Sequence, residues 1–406
     1  MTAALELKGR LTDLLPDEQL ASGTAAYAID GLTPEIVAQP ASREEVASLL
    51  RVANEAGAAV IPWGGGHRQA QGLSPARYDL ALDLRRLDRV VEYEPADLTV
   101  TVEAGIRLDE LQRVLAEHGQ CLTIDPPHAP EETIGGLIAT NASGPGRIAY
   151  GTLRDLLIGV RFVTATGEIV HSGGRVVKNV AGYDLHRLQV GALGTLGVLV
   201  EASFKVSPLP VRVLYVEAKS ADLGSLLAVA RFGRDRGLAI NGIVVARAAG
   251  GQDWALQIRL AGGSAAVERS RTDLQAFARE RGLAAAAGDT LSSPLVTVAP
   301  TPAVRARASV IPSETRSLLE ALVATAGIVS ATWPAEAVTV DELQALRHRC
   351  VGAGRGAFVV EAAPVELKRR FDVWGDAGQG ASIMRRLKAE FDPNAVLNPG
   401  RFAGGL

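Results

Sequence analysis

Three consecutive glycines, Gly64, Gly65 and Gly66, close the run Ala58-Ala59-Val60-Ile61-Pro62-Trp63. A short apolar run such as Ala58 to Ile61 reads as a strand, and a glycine triplet ends it. The chain must therefore leave its sheet at Gly64. Glycine lacks a Cβ, so successive N–H groups can converge there and a ligand can approach the main chain closely. The stretch suits a pyrophosphate, but on its own a flexible loop explains it equally well. His67 and Arg68 follow directly; Arg68 reads as a surface charge rather than a phosphate clamp.

The elements around this run give an α+β pattern. Upstream, a short strand around Ile36–Val37 precedes Ser42, an N-cap with Glu45 three residues on. The helix that follows buries Val46, Leu49, Leu50 and Ala53, and Gly57 ends it. Downstream, "LALDL", "VVEYEP" and "LTVTVEAG" alternate apolar and polar residues as half-buried strands do, and a helix follows over Leu108–His118. No βαβ repeat with a dinucleotide-type turn appears.

At 406 residues the chain is long for one core, which predicts two domains. The texture changes after Ser207–Pro210. From there to Pro364 two rounds of strand, helix and strands are predicted. The helices fall near Leu223–Arg236, Ala265–Arg281, Ser313–Ala326 and Asp341–Arg349. The strands fall near Val211–Glu217, Ile240–Arg247, Trp254–Leu260, Arg305–Ile311, Ile328–Trp333 and Ala357–Ala362. The expected unit is ferredoxin-like. A last helix, "GASIMRRLKAEF", leads to "DPNAVLNPGRF". The expected division is an N-terminal segment 1–35, a first domain 36–210, a smaller α+β domain 211–385 and a tail 386–406.

Charge and composition exclude several classes. A net charge of −3 without a basic block argues against a nucleic-acid platform. No stretch of about 18 apolar residues predicts a membrane span. The charged N-terminus does not read as a signal peptide. Cys121 and Cys350 form neither a metal pair nor a disulfide framework, which fits a reducing cytoplasm.

Three further segments could serve a ligand. "IDPPHAPEETIGGLIATNASGPGRIAYGTLRD" carries Gly135, Gly136 and Gly144 with Asn141 and Ser143 as hydrogen-bonding side chains; turns explain it as well. Small residues there would let a flat ligand lie on the backbone. "VVKNVAGYDLHRLQVGALGTLGVLVEASFKV" spaces Gly191, Gly194 and Gly197 three apart, which is not the G-x-G-x-x-G fingerprint; "GAGRG" at Gly352–Gly356 also fails it. In the tail, Asn398 and Arg401 flank a Pro-Gly turn that looks docked rather than frayed.

Together, "PPHAPEETIGGLIA", "VVKNVAGYDLHRLQVGALGTLGVLVEASFKVSPLP" and "FDPNAVLNPGRF" resemble the FAD-binding, PCMH-type domain of the vanillyl-alcohol-oxidase superfamily. Within it they resemble the FAD-binding E subunits of glycolate oxidases. The resemblance covers residues 36–210 and the tail strongly and the second domain weakly. It implies FAD as cofactor and a two-part FAD-binding domain under a ferredoxin-like cap. Gly64, Gly65, Gly66 and His67 match the pyrophosphate loop. Pro127, Thr133, Gly135, Gly136, Asn141, Ser143 and Gly144 match the second FAD segment. Gly194, Thr195, Gly197 and Val198 match the stretch at the adenine end, and Asn398 and Arg401 match the tail that returns to the isoalloxazine. Lys178, Asn179 and Tyr183 match a motif that serves either the cofactor or the fold. In some members a histidine at the position of His67 is bonded to the flavin's 8α-methyl group; the alternative is a ring that packs nearby.

The resemblance further implies a subunit that oxidises small 2-hydroxy acids, glycolate or D-lactate, alongside a second, catalytic-type FAD-binding subunit and an iron–sulfur subunit. Its place would be the cytoplasm, with attachment to the inner membrane left to partners. Catalytic relatives draw a histidine-rich metal cluster from the cap. Here the cap region holds one histidine, His348, on a predicted helix, and Glu361 and Glu366 form no ligand pattern. No catalytic or metal residue is assigned. Two other readings stay open: a non-catalytic FAD-binding assembly subunit, and a stand-alone FAD-linked oxidase of another alcohol or a sugar lactone.

Overall fold

The computed structural model describes residues 3–127, 131–174, 183–247, 251–291, 303–309, 324–325, 328–351 and 356–406. Helix α1 (Ala3–Thr12) packs on α2 (Arg43–Glu55), and Leu7 and Leu11 are buried in the core they share with Leu49 and Leu50. The start of α2 is fixed by its cap. Ser42 Oγ accepts the Glu45 N–H at 3.2 Å, and the Glu45 carboxylate accepts the Ala41 N–H at 2.7 Å.

The first sheet joins β1 (Leu20–Ser22), β2 (Ile36–Ala38), β3 (Val60–Trp63) and β4 (Leu80–Asp83) in the order β1-β2-β4-β3. Strands β2 and β3 both run parallel to β4. The insertion of β4 puts β3 at the edge. The C-terminal tail covers that edge: Val60 N–H donates to Val396 O at 2.8 Å, and Asn398 N–H donates to Val60 O at 2.8 Å.

A second, antiparallel sheet uses β5 (Val90–Glu94), β6 (Thr99–Glu103), β8 (Leu157–Val163), β9 (Ile169–Gly173) and β10 (Val198–Lys205), ordered β5-β6-β10-β8-β9. Short strands β7 (Gln120–Cys121) and β11 (Ser207–Pro208) pair separately. Helices α3 (Leu108–Ala116), α4 (Ile134–Thr140), α5 (Arg147–Tyr150), α6 (Leu153–Leu156) and α7 (Leu185–Gln189) belong to the same stretch of chain. Leu111, Leu115, Leu137 and Ile138 from α3 and α4 are buried against Phe162 and Phe204.

The third sheet is built wholly after Pro210. Its first round runs β12 (Arg212–Ser220), α8 (Leu223–Asp235), β13 (Ile240–Ala246), β14 (Trp254–Gly262), α9 (Ser264–Arg279) and β15 (Ala285–Gly288). Its second runs β16 (Ala303–Ser309), β17 (Ala324–Thr325), β18 (Ile328–Pro334), the helix Val340–Val351 and β19 (Ala357–Ala362). The order β15-β12-β14-β13-β17-β18-β16-β19 is two antiparallel units of the ferredoxin-like order laid edge to edge through β13 and β17. One such unit was expected; two share one eight-stranded sheet. The predicted helix Ser313–Ala326 lies mostly outside the described residues, and Ala324–Thr325 at its end is strand.

Alternation assigns this sheet two faces. Val304, Ala306, Ala308, Phe358 and Val360 point into a core shared with Leu226 of α8 and Leu274 of α9. Arg259, Arg305, Arg307 and Glu361 stand on the other face. Helix α5 packs against β13, and Ile148 reaches the same core.

Candidate functional site

A cleft opens where β3 ends, and four segments wall it. The first is the glycine run. Trp63 is pinned just before it: its Nε1 donates to Tyr78 OH at 2.6 Å, and its ring meets Tyr27 edge-on at 5.0 Å. At Gly64 a Cβ would lie 2.0 Å from Thr133 Oγ1, so close an approach that glycine is required. Among the described residues, the N–H groups of Gly64, Gly65 and Gly66 donate to no protein acceptor. His67 shares this wall, its Nε2 3.5 Å from Glu131 Oε2 and its side chain 28% exposed.

The second wall is α4, whose Gly135, Gly136, Ala139 and Thr140 line the cleft. Thr133 caps it, accepting the Gly136 N–H at 3.4 Å. The third is the turn through Leu193 and Gly194, both with positive φ, which continues to Gly197 and Val198. The fourth is the tail. Asn398 donates its side-chain amide to Leu193 O. Arg401, 2% exposed, donates to Gln69 Oε1 at 2.8 Å, to Gln71 O at 2.6 Å and to Gln69 O. Its Nε is buried with no partner among the described residues. Burial pulls the guanidinium down to about 10, against the pull of Asp30 and Tyr78, so it stays cationic at neutral pH.

Residues 34–173 match the sequence profile of the FAD binding domain. The chain carries an FAD binding domain. FAD is therefore the cofactor against which the cleft is tested, and the residues fit it. Three N–H groups with no acceptor among the described residues, a wall of small side chains and a buried cation suit a dinucleotide with an anionic pyrophosphate.

Among curated proteins, glycolate oxidase subunit GlcE of Escherichia coli is 39% identical over 47% of this chain and 53% of its own length. D-2-hydroxyglutarate dehydrogenase of Xanthomonas citri is 36% identical over 47% of this chain and 41% of its own length. Glycolate oxidase subunit GlcD of Bacillus subtilis is 35% identical over 44% and 38%. The chain thus spans about half, or less, of the curated relatives it matches. Solved structures show the fold over nearly the whole chain. p-Cresol methylhydroxylase superposes with a TM-score of 0.77 at 15% identity, covering 98% of this chain and 96% of its own. Alkyldihydroxyacetonephosphate synthase superposes with a TM-score of 0.73 at 18% identity, covering 98% and 86%.

Of the residues singled out from the sequence, Gly64, Gly65, Gly66, His67, Thr133, Gly135, Gly136, Gly194, Gly197, Val198, Asn398 and Arg401 line this cleft together. Five stand outside its lining. Pro127 gives its carbonyl to Arg68 Nη2 at 3.3 Å. Asn141 ends α4 in the left-handed region, with its Oδ1 buried and unpartnered among the described residues. Ser143 accepts from Arg147 Nη1 at 3.4 Å. A Cβ on Gly144 would strike Asp125 O at 1.8 Å. Thr195 turns its hydroxyl to Ala192 O at 2.7 Å and its carbonyl to Lys388. Lys178 and Asn179 lie outside the described residues, and Tyr183 is 90% exposed.

Arg68 corrects the sequence reading. Its side chain is 15% exposed and ion-paired with Glu132 at 2.8 Å. Glu132 is buried, so it requires a charge partner, and Arg68 supplies it.

A second group went unnoticed in the sequence. Arg305 and Arg307 of β16 share one carboxylate, Glu361 of β19, and Arg147 of α5 lies within the electrostatic reach of Arg307. Arg307 Nε donates to Glu361 Oε1 at 2.7 Å, and Arg305 Nε lies 3.5 Å from Glu361 Oε2, too far for a hydrogen bond. Burial and then the nearby Arg307 lower the Arg147 guanidinium below the ordinary arginine range. Neighbouring Asp125 is committed elsewhere, to Arg259 at 2.7 Å and to the Gly146 N–H. The signal was present in "VRARA", whose period of two puts both arginines on one strand face; their meeting with Arg147 depends on the fold.

Proposed function

We propose that the chain is the FAD-binding subunit of an oxidoreductase that converts small 2-hydroxy acids, glycolate and D-lactate, to 2-oxo acids. The observation that carries this reading is the arginine cluster. Two guanidiniums, Arg305 and Arg307, share one carboxylate in a half-buried setting and a third, Arg147, lies near Arg307, a surplus of positive charge that a substrate carboxylate would balance. Bound FAD supplies the acceptor for the hydride that leaves Cα. The chain's own part is to hold: the glycine run and α4 would seat the dinucleotide, and Arg147, Arg305 and Arg307 would orient the substrate by its acid group.

Relatives named as glycolate oxidase subunits support a complex. The partners proposed are a second FAD-binding subunit and an iron–sulfur subunit. Cys121 and Cys350 cannot by themselves ligate a cluster, so that iron is proposed on another chain. Among the described residues no helix is long and apolar enough to cross a membrane; the proposed place is the cytoplasm, with any membrane attachment made through partners.

One observation favours a second reading, an assembly subunit whose flavin only relays electrons. His348 is exposed on the helix Val340–Val351, and the cap region has no other histidine to take the hydroxyl proton near the arginines. The test is anaerobic mixing of glycolate or D-lactate with the FAD-loaded chain, alone and reconstituted with partners. Flavin bleaching in the complex supports the subunit reading. Bleaching by the isolated chain excludes the assembly role, and no bleaching in either sinks 2-hydroxy acid oxidation here.

A further inference from the structure

The loop from Gly66 to Leu73 carries His67, Gln69 and Gln71 along the FAD cleft and is gripped by two buried cations. Arg401 grips it from the tail, through Gln69 and Gln71. Lys368 grips it from the other side. Its Nζ donates to Ala70 O at 2.8 Å and to Asp30 Oδ2 at 2.7 Å, and its side chain is 1% exposed. Ser74 Oγ donates to the same Asp30 oxygen at 2.8 Å.

Lys368 is anchored outside the FAD domain. It ends the helix Val365–Lys368, which follows β19. Leu367 packs on the core of the eight-stranded sheet, and Phe371 and Val373 are buried in it. Val360 N–H, in β19, donates to Val373 O at 2.9 Å. Leu73, at the far end of the loop, packs on that same core. A fully buried ammonium is costly unless its bonds are made, so its placement on one loop carbonyl is specific. Burial lowers Lys368 below the ordinary lysine range, Asp30 acts against this, and Arg401 adds to it. Two buried cations therefore share the field of one carboxylate beside the cleft.

We propose that Lys368 is a positioning residue for FAD: by holding Ala70 it sets the loop that lines the cleft, so cofactor retention depends on the cap-side core. The proposal rests on FAD binding alone, not on the substrate reading.

The test compares wild type, Lys368→Met and the double variant Asp30→Asn/Lys368→Met for FAD affinity, by flavin fluorescence quenching, and for unfolding midpoint of the apoprotein. The single variant is expected to lose stability, because Asp30 is left buried and unpaired. The double variant removes both charges and should recover much of that stability, yet bind FAD about tenfold or more weakly, because the Ala70 tether is still missing. Wild-type affinity in the double variant would overturn the proposal. Hydrogen exchange on wild type gives a reading that needs no variant. FAD should slow exchange in both Gly66–Leu73 and Val365–Val373; protection of the loop alone would overturn the proposal. Failure of wild type to bind FAD would instead overturn the cofactor assignment.

Discussion

Gly64 shows how one atom decides the site. A methyl group there would overlap the Thr133 hydroxyl that caps α4. Gly64→Ala should cost about 1–3 kcal/mol by overpacking and lower the flavin-to-protein ratio of the purified chain; a full flavin complement would contradict the contact. Arg307 makes the opposite kind of prediction. Arg307→Gln leaves Glu361 its neighbour Arg305, so flavin content should hold, while KM for a 2-hydroxy acid rises about tenfold to a hundredfold. Steady-state kinetics on the complex check this. His67 has its Nε2 turned toward Glu131, and we expect acid precipitation to release the flavin into the supernatant; colour retained in the pellet would establish the covalent bond instead. The glycines were legible in sequence because no other residue tolerates such approach. The arginine cluster was not, because residues 147, 305, 307 and 361 meet through tertiary packing.

Elements hold these residues through a few buried charges. The helix Ala381–Phe391 docks the tail with Lys388, whose Nζ donates to Asp392 Oδ2 at 2.6 Å, Leu397 O at 2.8 Å and Thr195 O at 2.9 Å. The Asp392 carboxylate also accepts the Val396 and Leu397 N–H groups. Lys388→Met should cost about 3 kcal/mol, seen as a lower urea midpoint, because the carboxylate stays buried without its cation. The turn "DPNAVLNPGRF" was readable as docked, but its fastening to Thr195 was not, since that contact spans nearly half the chain.

At the end of β4, Asp83 links Tyr27, Gln39 and Arg85. Burial raises its carboxyl, but the hydrogen bonds from Arg85, Tyr27 and Gln39 together outweigh this and hold it below the ordinary range. The folded state therefore binds fewer protons than the unfolded one. The stability Asp83 contributes is complete above the ordinary carboxyl value of about 4 and is lost as pH falls through its lower folded value. Urea midpoints of wild type and Asp83→Asn should differ most at neutral pH and converge in acid; a constant gap would contradict the assignment.

At the scale of the molecule, the glycine-lined cleft and the arginine cluster stand on different sheets. The cleft is walled by strand ends of the first two sheets and by the tail. The cluster sits on the polar face of the third, with Arg147 reaching it from the FAD domain side. The sequence foretold six of the third sheet's eight strands and three of its helices, but not β15 or β17, nor that the two units join edge to edge, because pairing between β13 and β17 leaves no local mark. The most direct test of 2-hydroxy acid oxidation at an arginine-held carboxylate is anaerobic reduction of the FAD-loaded complex by D-lactate and by D-lactamide. Rapid bleaching of the flavin by the acid and little by the neutral amide is the predicted result. Equal rates, or bleaching by neither, would contradict it.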